Sequence, residues 1–120
     1  MNYENWSPLF VAVKYNRIKI VELLLKHNAK IDCLTLNSEV KIYYWKTPLM
    51  HACINGNYQI AELLIKNNCD VNWKSNEGAT ALSFACYYGR KDIVELLLKF
   101  NLELNTVFYG LEELGNLTPL

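Results

Sequence analysis

The sequence predicts an all-α solenoid of stacked helix–turn–helix units joined by β-hairpin-like finger loops, and three observations carry the prediction. One phrase recurs: Ser7-Pro8-Leu9-Phe10-Val11-Ala12 leads to Ile20-Val21-Glu22-Leu23-Leu24-Leu25-Lys26. Thr47-Pro48-Leu49-Met50-His51-Ala52 leads to Ile60-Ala61-Glu62-Leu63-Leu64-Ile65-Lys66, and Thr80-Ala81-Leu82-Ser83-Phe84-Ala85 to Ile93-Val94-Glu95-Leu96-Leu97-Leu98-Lys99. The second and third copies lie 33 residues apart, a period at which each copy is one helix pair that cannot bury its apolar face alone. Finally, the longer phrase of each copy is apolar around most of a turn. Its partner helix and both neighbouring units are therefore expected to cover it.

Each copy reads as a short helix, a tight turn, a longer helix and a loop. Ser7, Thr47 and Thr80 are the expected N-caps, with Pro8 and Pro48 just inside the helix, where a missing amide hydrogen costs nothing. Ala81 replaces the proline in the third copy. The short helices are expected to stop at Asn16, Gly56 and Gly89, residues that accept a left-handed backbone cheaply. The longer helices are expected to end at Asn28, Asn68 and Asn101 for the same reason. Glu22–Lys26, Glu62–Lys66 and Glu95–Lys99 are i,i+4 pairs in the favourable order, worth about 0.2–0.5 kcal/mol each on a solvated surface.

The spacing departs from its period in two places. Pro8 and Pro48 are 40 residues apart, and Ala81 and Pro119 are 38 apart. In the first excess, Leu34-Thr35-Leu36 and Val40-Lys41-Ile42-Tyr43-Tyr44 alternate around Asn37-Ser38, which reads as an extended hairpin turning at those two residues, the alternative being a disordered insertion. The resulting division is one domain over 1–120, with units at 5–33, 45–73 and 78–106. A finger insertion occupies 34–44, a second insertion 107–115, and a fourth unit begins at 116–120. The chain then reads as a fragment of a longer array. Leu97, Phe100 and Leu102 are expected to be uncovered, and self-association through that C-terminal end is the consequence.

Composition narrows the function classes. Hydrophobic residues make up 52% of the 120, so the chain folds. Twelve basic residues balance twelve acidic ones, which argues against nucleic acid or a membrane surface as partner. No apolar run is long enough to span a bilayer, and Met1-Asn2-Tyr3-Glu4-Asn5 lacks the pattern of a secretory signal. The four cysteines, Cys33, Cys53, Cys69 and Cys86, form no C-x₂-C pair and read as small apolar residues in a reducing compartment. The localisation expected is intracellular, in the cytoplasm with the nucleus also open to it. His51 and His27 have no cysteine or carboxylate partner at a ligand or nucleophile spacing, and the five glycines mark turns. No metal, cofactor or catalytic activity is expected. For His51 the expected role is a bond to neighbouring loop backbone.

On these motifs the chain resembles ankyrin repeats over residues 5–105. The T-P-L-x-x-A opening and the I-V-x-L-L-L helix recur. The G-A-D-V-N-like exit appears as Asn28-Ala29-Lys30-Ile31-Asp32, Asn68-Cys69-Asp70-Val71-Asn72 and Asn101-Leu102-Glu103-Leu104-Asn105. Trp45 stands where the family usually turns on glycine, which leaves the first inter-unit turn open.

The resemblance implies a concave surface made of finger tips and the inner face of the short helices. Mapped by position, the partner-binding candidates are Tyr3, Trp6, Lys14 and Tyr15, then Tyr43, Tyr44, Lys46 and Asn55, then Asn76, Glu77, Tyr87 and Tyr88. Glu4, Ile54 and Ala79 fall on the same face. Six of the eight tyrosines are in this set, and such rings give large contact area at low rotamer cost. An alternative is that the rings pack finger against helix. The resemblance also implies asparagine hydroxylation at L-x₅-[DE]-apolar-N, which Leu64–Asn72 and Leu97–Asn105 match, making Asn72 and Asn105 candidates. The plainer alternative is that both brace a turn. The function expected is a non-catalytic module that holds another protein. The alternative is the targeting arm of a larger enzyme, a ubiquitin-ligase adaptor or a host-directed effector.

Overall fold

The computed structural model describes residues 6–32, 35–36, 45–75 and 77–100. Six helices occur among them: α1 (Pro8–Lys14), α2 (Ile18–Lys26), α3 (Pro48–Asn55), α4 (Tyr58–Lys66), α5 (Ala81–Tyr87) and α6 (Lys91–Leu97). The short helices α1, α3 and α5 pack side by side in one row, and α2, α4 and α6 form a second row behind them. Between the rows lies one continuous core that includes Leu9, Val13, Leu49, Ile60, Leu64, Leu82, Ile93 and Leu97. The fold is the all-α solenoid expected from the repeats.

Local chemistry fixes each short helix. The Ser7 and Thr47 hydroxyls accept from the Phe10 and Met50 amides at 3.1 and 3.2 Å, with proline in the first turn of each helix. In α5, which lacks proline, a capping box takes over: Thr80 Oγ1 accepts from the Ser83 amide at 3.1 Å, and Ser83 Oγ from the Thr80 amide at 3.4 Å. Both residues are buried, so neither group has water as a substitute. Thr80→Ala should therefore cost roughly 1 kcal/mol or somewhat more, read as a lower urea midpoint with unchanged slope. Asn16, Gly56 and Gly89 end the short helices, and Asn28 and Asn68 the longer ones, all with positive φ. Asn101 lies outside the described residues.

Several expectations change. Leu97 is fully buried, because it follows Ile93 by one turn and faces α5 with it; Leu98 and Phe100 are the exposed apolar residues there. Leu102 lies outside the described residues. Ile20 and Leu23 on α2 are exposed and not covered on every side. Of the three i,i+4 pairs, Glu62–Lys66 closes at 3.5 Å.

Strands β1 (Thr35–Leu36) and β2 (Trp45–Lys46) pair antiparallel, Thr35 with Lys46 and Leu36 with Trp45. A turn at Asn37-Ser38 would have paired Leu36 with Glu39, so the register differs from the expected one, and residues 37–44, between the paired strands, lie outside the described residues. The pairing also settles the role of Trp45. At the equivalent position of the next unit Gly78 has φ +86° and its amide donates to the Ser75 carbonyl at 2.9 Å, closing a tight turn. Trp45 instead sits in the extended ladder, where no left-handed backbone is needed.

Candidate functional site

The candidate residues fall into separate groups. Trp6, just before α1, makes an edge-to-face contact with Phe10 at 4.9 Å, and the Lys14 ammonium lies 4.4 Å from the Trp6 ring. Phe10 in turn meets His51 edge-to-face at 4.6 Å. This chain of rings crosses from the first unit to the second. At the far end, Tyr87 and Tyr88 pack edge-to-face at 4.9 Å at the exit of α5, and both are exposed. The Arg90 guanidinium lies 6.0 Å from the Tyr88 ring.

The other candidates stand elsewhere. Tyr15 is exposed, but it lines a groove with Val11, Arg17 and Ile20 at the N-terminal end of the stack. Lys46 is buried, its ammonium 6.0 Å from the Phe84 ring of the next unit. A lysine at the base of a finger covers apolar surface with its stem, so Lys46 is not the exposed contact that its position predicted. Ala79 is buried as well. Asn55 is half-buried and its amide is committed: Nδ2 donates to the Val13 and Lys14 carbonyls at 3.3 and 3.2 Å, capping α1 from the next unit. Glu77 is half-exposed, and its amide donates to Ser75 Oγ at 3.3 Å in the turn before α5. Tyr3, Tyr43, Tyr44, Asn76 and Asn105 lie outside the described residues, as does Glu4.

Asn72 is exposed, and its amide donates to Asp70 Oδ1 at 3.0 Å. At the same position of the first unit, Asp32 accepts from the Asp70 amide of the following unit at 2.9 Å. In the first unit that position braces one loop against the next, and in the second its amide closes a turn within the loop.

Sequence reasoning missed the inter-unit latches. Arg90 Nη2 donates to the Ile54 carbonyl at 2.7 Å, and Asn57 Nδ2 to Asn16 Oδ1 at 3.2 Å. Each reaches back to the C-terminal end of the preceding short helix. The available signal was the polar residue immediately after each short-helix exit: Arg17, Asn57 and Arg90.

Electrostatics argues against reactive side chains. Burial, and then the Lys46 and Lys14 charges, hold the His51 imidazole down to about 3. It packs on Phe10 in place of the backbone bond expected for it. Because the folded value lies below the ordinary 6.5, the unfolded chain binds the extra proton between those values. The His51 contribution is thus complete above pH ~6.5 and is lost as pH falls toward 3. His51→Gln should flatten the fall of the urea midpoint over that window. Burial raises the Cys53 thiol far above its usual range. Burial, with Asp32 and Asp70, pushes Cys69 up to about 12. Both stay protonated and unreactive at neutral pH. Burial and Tyr87 raise the Tyr88 phenol, against the opposing pull of Arg90, so it remains a hydrogen-bond donor. Among the described residues no cluster of His, Cys, Asp and Glu could hold a metal. Nor, among them, is any helix long and apolar enough to cross a membrane.

A model of ankyrin repeats in three copies matches residues 32–107, and a single-repeat model matches residues 4–33. The chain belongs to the ankyrin-repeat family. Among similar proteins, the B-cell lymphoma 3 protein homolog of Mus musculus is 33% identical over 81 residues, 68% of this chain and 17% of that protein. The Fowlpox virus protein FPV014, named for its ankyrin repeats, is 34% identical over 74 residues, 62% of this chain and 15% of its own length. XBOS33 of Oryza sativa subsp. japonica, named as a probable E3 ubiquitin-protein ligase, is 35% identical over 65 residues, 54% of this chain and 11% of that protein. The chain therefore spans less than a fifth of the length of these relatives. Ankyrin repeats are a non-catalytic fold that generally serves protein–protein interaction.

Proposed function

We propose that the chain holds a partner protein through two aromatic patches on its short-helix side, Tyr87–Tyr88 beside Arg90 and Trp6 beside Lys14. The observation that carries this reading is the Tyr87–Tyr88 pair: two exposed rings fixed against each other at 4.9 Å. Rings already held in place lose little entropy on binding, and each phenol adds a polar tip to a large apolar area. Units at 5–33, 45–73 and 78–106, with the finger insertion at 34–44, are the division that goes with this reading. The free thiols among the described cysteines support a reducing compartment, the cytoplasm or the nucleus.

Tyr87→Ala with Tyr88→Ala should weaken capture of the partner by at least about tenfold, as hot-spot truncations do, without moving the thermal melt appreciably. Full-strength binding by that folded double variant would remove the assignment. A second reading, a recruiting arm within a larger ligase or enzyme, has support in the small share of each relative that the chain spans. Modification at Asn72 is a separate proposal, supported by the exposure of that residue, and at Asn105 by its motif. Intact-mass measurement after eukaryotic expression tests both, an added oxygen being the positive result.

A further inference from the structure

Of the five glycines, Gly56 alone follows an asparagine. An Asn–Gly pair is the least hindered setting in which a side-chain amide is attacked by its own backbone, because glycine has no Cβ to block the approach. The Gly56 nitrogen bonds to Asn55 Cγ, and the Cγ–Nδ2 bond breaks. The hydrogen of the attacking amide leaves with the side-chain nitrogen as ammonia. Water then opens the five-membered imide at either carbonyl, leaving aspartate or isoaspartate. Once ionised, neither product has a side-chain hydrogen-bond donor.

The fold holds this chemistry back in three ways. Asn55 is the last residue of α3, and the Gly56 amide donates to the Ala52 and Cys53 carbonyls, the latter at 3.3 Å. A nitrogen whose hydrogen is engaged in the helix exit is not free to shed it. Asn55 Nδ2 donates to the Val13 and Lys14 carbonyls at 3.3 and 3.2 Å and lies 3.5 Å from Asn16 Oδ1. Those bonds pin the side-chain amide to the end of α1, across the packing of α1 on α3. Gly56 itself is fixed at φ +73°, with the Arg90 side chain against it. Attack therefore requires α1 to part from α3 and the exit of α3 to unwind. We propose that Asn55–Gly56 is a deamidation site gated by the junction between the first and second units, and that its conversion weakens the junction that guards it. Aspartate at this position turns a donor into a carboxylate facing the Val13 and Lys14 carbonyls, at the C-terminal and therefore negative ends of α1 and α3. The deamidation does not reverse, so each converted chain stays loosened. Neither step involves the aromatic patches.

Peptide mapping by mass spectrometry, on the 120-residue chain aged at neutral pH, follows the amide-to-acid mass gain at Asn55. In unfolding urea Asn55 should convert ahead of every other asparagine, and in the folded chain its rate should fall by at least about tenfold, set by how rarely the junction opens. Val13→Ala truncates a fully buried side chain of α1 and keeps the carbonyl that Asn55 bonds. It should speed conversion of the folded chain about tenfold and leave the rate in unfolding urea unchanged. Without any substitution, urea well below the unfolding midpoint should also speed it. Asn55→Asp should melt roughly 5 °C or more below the parent, since Asn and Asp have nearly equal helix propensity. The deamidated fraction, separated from aged parent by anion exchange, should share that lower melt. Equal rates in the folded and urea-unfolded parent, or an unchanged folded-state rate in Val13→Ala, would overturn the gating. Another asparagine converting first in unfolding urea would overturn the site, and a parental melt for Asn55→Asp would overturn the weakening.

Discussion

Gly56→Ala should destabilise the protein by roughly 2–4 kcal/mol, while Gly89→Ala, the same change one unit later, should cost only about 1–2 kcal/mol. Both glycines end a short helix in the left-handed region, with φ +73° and +68°. The backbone cost of an added Cβ is therefore common to the two sites. They differ in what the Cβ meets. At Gly89 nothing lies within 4 Å; at Gly56 the Arg90 side chain would be 2.7 Å away at Nε and 2.8 Å at Cζ. Those are distances that real Cβ atoms do not show.

The guanidinium can yield only by giving up its bond to the Ile54 carbonyl, a charge-assisted bond of a class worth about 1.5–3 kcal/mol. Arg90 Nε is buried without a partner, so the side chain is held in this pose by the latch and by contact with Gly56. In an Arg90→Ala background the cost of Gly56→Ala should shrink to that of Gly89→Ala. A double-mutant cycle on urea midpoints isolates the coupling. Equal costs for the two glycine variants in the parent chain would show that Arg90 swings aside freely and latches nothing.

What the sequence disclosed and what it hid follow from the range of each interaction. The caps at Ser7, Thr47 and Thr80 and the left-handed exits at Asn16, Gly56 and Gly89 are settled within four residues of the chain, and each was legible. The register of β1 and β2 was not. A short alternating stretch satisfies more than one pairing, and the turn residues Asn37-Ser38 favoured one that the ladder does not adopt. Lys46 reads as a surface charge in any linear scan, whereas the fold buries it with its ammonium 6.0 Å from the Phe84 ring of the next unit. Asn55, placed among the contact residues by its position, is occupied in capping α1. The Arg90 latch belongs to the relation between units, which a copy read by itself does not contain. The aromatic pair at Tyr87–Tyr88 was legible as neighbouring letters. Its exposure followed from the helix exit, where no following residue of α5 shields it.

Ile60→Ala should cost about 2–5 kcal/mol, against less than about 1 kcal/mol for Ile20→Ala in dilute solution. The two isoleucines occupy one repeat position and have the same local sequence role at the start of the longer helix. Helix propensity is accordingly matched, and the difference reports burial and packing. Ile60 is enclosed by α2, α3 and its own helix within the core, so truncation leaves a cavity that neighbouring helices cannot collapse to fill. Ile20 faces the open groove, where water replaces the lost methyl groups. The comparison also reports on assembly. Anything that docks on the first unit should raise the penalty of Ile20→Ala with its own concentration, because binding to the folded state adds to its apparent stability by mass action. A penalty for Ile20→Ala that matches Ile60→Ala even at low concentration would mean that the first unit is already covered from within the chain.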